Sequence, residues 1–300
     1  MVQRAGTGSH VVLASADSDA FTSLRRRATS RPDRYRMGKE LRRRVPRRSL
    51  GEWTVRTGRS RPVQLIVESH RGRLDWLIPV RVGRMAATPY EFLRGAAVVM
   101  ADDVARLPST GITPVICGDA HLGNFGFYAS PEQDLVIDLN DFDEAHPGAW
   151  EWDLRRLVAS IWIAGRQNGA SEQACEVEGQ RVVEYQQALQ TVSDPLLGWT
   201  PVGEHQYYVR QFRNMKGSVA LDSVDGAALA DYAAITGHLL AKGHARTSGA
   251  SMIVGYAGSS SRLDAALARF ARLYADQTEA DYAALVKAAD RGILPIERGL

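Results

Sequence analysis

The chain has 300 residues, 45% of them hydrophobic and 24% charged. That composition excludes a mainly disordered, collagen-like or coiled-coil protein, and the length suffices to bury a sizeable core without disulfides. Two cysteines make no disulfide framework, no stretch approaches the roughly 18 apolar residues of a membrane span, and His10–Ala14 is too short for a secretory core, so the expectation is a cytoplasmic protein of a reducing compartment.

The net charge of +3 hides an asymmetry: residues 21–48 carry eleven Arg and one Lys against Asp33 and Glu40, so the remainder is acidic. Such a basic stretch attracts phosphate groups. It lacks an aromatic-interleaved basic module, so nucleic acid is not an expected partner. Residues 1–37 read as a flexible basic N-terminal segment and 38–300 as one domain. The Arg-rich stretch 25–48 is expected to be peripheral, because an unpaired buried charge costs several kcal/mol.

Val63–Glu68 reads as a strand or a short buried helix. Thr88-Pro89-Tyr90-Glu91 is a capping box with proline at the first helical position. It predicts one helix with Leu93, Ala96, Ala97, Met100, Val104 and Leu107 on a face, ended by Pro108 and Gly111. Thr113–Cys117 and Leu135–Leu139 are short apolar runs that read as strands and could pair across a polar, glycine-containing loop. Helices are predicted at about 151–167 and 172–192, a β-rich run at 206–212, and helices near 226–246, 261–275 and 277–290. The fold class is therefore α+β, mostly helical with a small sheet.

The chemistry concentrates between Gly118 and Asp153. Gly118-Asp119-Ala-His121-Leu-Gly123-Asn124 sets an Asp five residues before an Asn in a loop that follows a predicted strand. Asp138, Asp141, Asp143 and Glu144 then crowd four carboxylates into seven residues. Such a cluster calls for a neutralising cation, and Mg²⁺ typically takes one or two carboxylates plus substrate phosphates.

The pattern G-D-x-H-x-x-N, a strand ending in D-F-D, and a W-D-L helix start resembles the aminoglycoside-phosphotransferase and choline-kinase branch of the kinase-like superfamily. More closely, the chain resembles the uncharacterised bacterial family called domain of unknown function 2252. The resemblance covers roughly residues 38–290 and includes Val80–Met85, Tyr90–Gly95, Glu151–Arg156, Tyr208–Arg210 and Gly243–Arg246. It implies a protein-kinase-like fold and a metal-dependent phosphotransferase that moves a nucleotide phosphoryl group to a hydroxyl acceptor, with Mg²⁺ or Mn²⁺ and ATP or another nucleotide as cofactors and a small molecule as substrate. Residue by residue it implies Asp119 as catalytic base, Asn124 and Asp141 as metal ligands with Asp143 and Asp138 as second choices, His121 as an orienting residue, and Asp153 as a buried structural carboxylate. Lys216 and Arg84 are the candidates for nucleotide phosphate, and Gly255–Ser261 is a glycine- and serine-rich alternative that also reads as a helix–helix loop. The G-x-G-S-x-G segment and following lysine of the resembled layout have no counterpart around residues 166–178. The alternative is therefore a degenerate kinase-like protein that binds metal or nucleotide without turnover.

Overall fold

A computed structural model describes residues 29–129, 135–169, 198–202, 205–209, 217–222, 224–247 and 249–299. Most described residues are helical, with small antiparallel ribbons, so the architecture is α+β. The first helix, α1 (Arg31–Arg44), starts where Ser30 Oγ accepts the Asp33 N–H at 3.2 Å and Pro32 occupies the first turn. The segment boundary expected at residue 37 thus falls inside a helix.

The Arg-rich stretch is also less peripheral than its charge suggested. Val45 and Leu50 join a core with Ile112, Trp150, Met252, Tyr256, Leu263 and Leu267, against which Leu41 packs. α1 crosses α8 (Ala250–Ala257) backbone to backbone: a Cβ on Gly38 would strike the Met252 carbonyl, and one on Gly255 the Tyr35 carbonyl. The arginines dock without an uncompensated charge because they meet the carbonyl end of α8. Arg42 Nε donates to Tyr256 O at 2.8 Å, while Arg42 and Arg47 also take Gly255 O and Ala257 O.

Val63–Glu68 resolves as helix, α2 (Pro62–Glu68), followed by α3 (Ile78–Met85). The single helix expected after Thr88 is two, α4 (Pro89–Gly95) and α5 (Ala97–Val104), broken at Ala96 with φ −108° and ψ 42°. The break persists because guanidinium groups satisfy the carbonyls it exposes: Arg156 reaches Leu93 O at 2.7 Å, and Arg81 reaches Gly95 O.

β1 (Val115–Ile116) pairs with β4 (His146–Pro147), and β2 (Phe125–Ala129) pairs with β3 (Leu135–Leu139). Residues 113–117 and 135–139 therefore do not pair with each other. The partner of 135–139 lies inside the presumed loop, where Phe125-Gly-Phe-Tyr-Ala carries its own strand preference. β5 (Gly198–Val202) and β6 (His205–Val209) form a further hairpin, which covers the start of the run expected at 206–212; its last three residues, like the expected helix 172–192, lie outside the described residues.

Three long helices complete the frame: α6 (Trp150–Gln167), α7 (Gly226–Thr247) and α9 (Arg262–Asp290). The two helices expected at 261–275 and 277–290 are one, because nothing between Tyr274 and Asp281 breaks the pattern and both residues are buried on α9. α6 runs through the main core with Leu157, Trp162 and Ile163 against Leu122, Phe125, Phe270 and Tyr274. A second core gathers Ile66, Val82, Met85, Phe92, Val99 and Leu285. A buried charge cluster ties the 52–61 segment to both: Arg59 donates to Asp103 at 2.7 Å and to Asp281 at 2.6 Å, and Tyr274 donates to Asp103 at 2.9 Å.

Candidate functional site

The Gly118–Asn124 loop is held from behind by α6. Asp153, in the first turn of α6, is 1% exposed and accepts the backbone N–H groups of Cys117 at 2.7 Å and Gly118 at 2.8 Å. The ring Nε2 of His244, from α7, lies 2.8 Å from the same carboxylate. Gly118 takes φ +84°, and a Cβ there would meet the Glu144 carbonyl, so only glycine allows the two motif loops to touch. Ser160, two turns along α6, accepts the Leu122 N–H at 3.0 Å, and Tyr90 accepts the Gly123 N–H at 2.9 Å.

Asp119 emerges from this clamp with its side chain 19% exposed. Its Oδ1 accepts from Arg156 at 2.6–2.7 Å, and its Oδ2 lies 3.6 Å from His121 Nε2. His121 is buried, and burial holds its imidazole neutral by pulling its pKa down to about 3. Asn124 is buried and its amide donates to the Asp119 carbonyl at 2.7 Å, closing the loop on itself.

The second motif is brought to the first by strand register. Phe125 faces Leu139, and the Asn140 N–H continues the ladder to Asn124 O at 2.8 Å. Asn124 therefore sits across from Asn140, one residue before Asp141. Cys117 Sγ meets the Asp141 carbonyl at 3.6 Å, and burial pushes its thiol pKa up to about 12. Asp141 and Asp143 are both exposed, and Asp141 Oδ1 accepts the Asp143 N–H at 3.3 Å. Asp138 has a different setting: half-buried on β3, it accepts the Leu139 N–H, and burial raises its pKa against the pull of Arg246 and Lys242 on α7.

The family model described as an uncharacterized protein conserved in bacteria, DUF2252, matches residues 73–177 and 174–288. The chain belongs to this DUF2252 family. No curated protein and no solved structure matches it. The DUF2252 match comes in two pieces that meet at residues 174–177, within the stretch where the sequence has no G-x-G-S-x-G insert.

The other expected residues scatter. Lys216 lies outside the described residues. Arg84 is exposed in the last turn of α3, and no hydrogen bond or ion pair joins it to the 118–144 unit among the described residues. Gly255 is a packing glycine inside α8, and Gly258, at φ +69°, turns the chain into α9. Among the described residues, no group of three or more His, Cys, Asp or Glu side chains is placed to hold a metal ion. Asn124 and the exposed Asp141 and Asp143 all carry oxygen donors, and the link between their two loops is the backbone bond from the Asn140 N–H to Asn124 O. That set suits a hard cation which completes its shell with water and phosphate oxygens.

Arg156 and His244 are the residues whose roles sequence reading missed. Asp153 and Arg156 are three apart on a helix and so share a face, a spacing that Trp152-Asp153-Leu-Arg155-Arg156 displays openly. What the pattern does not show is the partner: Asp119 is 37 residues from Arg156. A concavity of about 870 Å³ flanks α6 along Trp150, Leu154, Leu157 and Ile161, a different face from the one bearing Asp153 and Arg156.

Proposed function

We propose that the Gly118–Glu144 unit is the phosphoryl-transfer centre of a kinase-like phosphotransferase. The observation that carries this reading is the hairpin register, which sets Asn124 beside the Asn140–Asp141 loop while the same short loop presents Asp119. A base and two metal-type oxygen donors thus come from two consecutive connections of one ribbon. The buried carboxylate of Asp153, gripping the N–H groups just before Asp119, fixes that base from behind.

In this reading the hydroxyl of a small acceptor donates its proton to Asp119 Oδ2, the oxygen that Arg156 leaves free. Arg156 orients the carboxylate. His121, kept neutral by burial, forms one wall beside it without adding charge. Asn124 and Asp141, with Asp143 adjacent, would hold Mg²⁺ or Mn²⁺, which supplies neutralisation of nucleotide phosphate charge when bound.

A second reading is favoured by a specific observation. The Asp119 carboxylate is already paired with the nearly buried Arg156, and the chain has no glycine-rich phosphate loop between α6 and residue 178. Both suit a degenerate centre that binds metal or nucleotide without turnover.

ATP consumption, measured with and without Mg²⁺ on wild type, Asp119→Asn and Asp141→Asn, separates the two. The transferase reading expects Asp119→Asn to lose about 10²–10⁴-fold in rate with nucleotide binding kept, and Asp141→Asn to need more metal. Nucleotide or Mg²⁺ binding without consumption by wild type hands the centre to the degenerate reading. An Asp119→Asn protein as fast as wild type removes Asp119 as the base.

A further inference from the structure

The Arg-rich stretch that opened the sequence has a structural consequence away from Asp119. Arg42 of α1, Arg47 and Arg48 of the 3₁₀ turn Arg47–Gly51, and Arg262 and Arg269 of α9 converge on a concavity of about 670 Å³. Its remaining lining is Pro46, Ala265 and Ala266, so no carboxylate faces it among these residues. Asp264, the nearest acidic residue along α9, lines the neighbouring cavity instead.

The geometry follows from helical spacing. Residues 262, 265, 266 and 269 stand at i, i+3, i+4 and i+7 and share one stripe of α9. The two alanines make a low floor between the two arginines. The opposite wall is fixed at close range: a Cβ on Gly51 would strike the Ala266 carbonyl, so the 3₁₀ turn lies directly on α9. Arg42 and Arg47 are already anchored by the α8 carbonyls, with Arg47 also 3.2 Å from Ser260 Oγ. Arg48, Arg262 and Arg269 are exposed and make no ion pair or side-chain hydrogen bond among the described residues. Burial first, and then the charges of Arg42 and Arg262, lower the pKa of Arg47 against the opposing pull of Tyr256 and Asp264.

We infer that this concavity is a binding site for a multiply charged phosphate compound, distinct from the Asp119 centre. The exposed Arg48, Arg262 and Arg269, with small side chains between them, offer paired N–H donors to several phosphate oxygens at once, and the anchored Arg42 and Arg47 add positive charge beside them. The volume suits a small ligand rather than an extended polymer. A bound anion adds the negative charge that none of the lining residues supplies.

Inorganic tripolyphosphate is the direct probe, titrated calorimetrically into the full chain with EDTA present so that a metal-dependent centre does not contribute. One tripolyphosphate should bind per chain, with affinity that falls as KCl is raised. Arg262→Ala with Arg269→Ala should weaken it at least about tenfold. Arg272→Ala, on the same helix but outside the concavity, should leave it unchanged, and thermal midpoints of both variants matching wild type show that all are folded. Flotation with phosphatidylcholine vesicles, with and without a phosphoinositide, identifies the source: capture that the double variant loses assigns a lipid headgroup, and tripolyphosphate binding without capture assigns a soluble compound. No binding of either probe, or binding undiminished in the double variant, overturns the site. This outcome is independent of ATP turnover at Asp119.

Discussion

The two halves of the candidate centre are built by opposite means. On the α6 side, Glu151, Asp153, Arg155 and Arg156 are all buried within six residues of one helix. Each has a specific partner: Glu151 accepts the Thr110 N–H at 2.7 Å, Asp153 the two loop N–H groups, and Arg156 holds Asp119. Arg155 reaches Pro108 O at 3.2 Å and lies 5.3 Å from the Phe270 ring, while burial draws its pKa down to about 10. On the other side, Asp141, Asp143 and Glu144 stand exposed at the end of a ribbon. Buried charges persist only where partners hold them, and although Glu151 Oε2 and Arg155 Nε have none, every one of the four side chains is held through another atom, so the α6 half is architecture. Exposed carboxylates need no partner, so the acidic loop is the half left available for chemistry.

The largest effect should come from breaking the architectural half. Asp153→Ala leaves two buried N–H groups and the His244 ring without their acceptor, and should cost about 3–5 kcal/mol in chemical denaturation. A loss no larger than that of an exposed substitution would remove the distinction drawn between the halves.

Acid should act on the loop that this half grips. His121 has its folded pKa depressed to about 3, below the about 6.5 of an unfolded histidine. Between those values the unfolded chain takes up a proton that the folded chain refuses, so stability present above pH 6.5 is lost progressively as pH falls toward 3. The contribution is about 2 kcal/mol by pH 5. Urea midpoints for wild type and His121→Gln, compared at neutral and acid pH, test this; the variant should show the shallower decline.

Smaller still is the effect expected on the acidic loop. Asp141→Asn and Asp143→Asn should each change stability by no more than about 0.5 kcal/mol, as at exposed sites generally. Magnesium binding, followed by titration, should nonetheless weaken. Stability loss at Asp141 comparable to that at Asp153 would make the loop architectural as well.

The least change is expected at Cys117. Burial raises its thiol toward about 12, so little thiolate forms near neutral pH. Alkylation read peptide by peptide should find Cys117 slow in the folded protein and fast in denaturant.

Much of this was legible beforehand, for physical reasons that differ between elements. The Thr88 cap, α6, α7 and the 135–139 strand announce themselves through local periodicity and capping. The break at Ala96 and the β2–β3 pairing were not legible. Carbonyls at the break are satisfied by Arg81 and Arg156, which are distant in sequence, and aromatic residues in a polar stretch concealed a strand. The docking of α1 was hidden for a related reason: a high density of arginine reads as a solvated surface until the carbonyl end of α8 lies beneath it.

By itself the sequence determined the helical periodicity, the Asp119–Asn124 spacing, the acidic cluster and the resemblance to DUF2252, the family to which the chain belongs. These depend on neighbours within a turn or two of the chain. The tertiary structure alone decided that Arg156 meets Asp119, that Asp153 and His244 grip the loop behind it, and that five arginines share one concavity. Charged side chains find partners through space, and no spacing along the chain records a contact between residues dozens to hundreds apart.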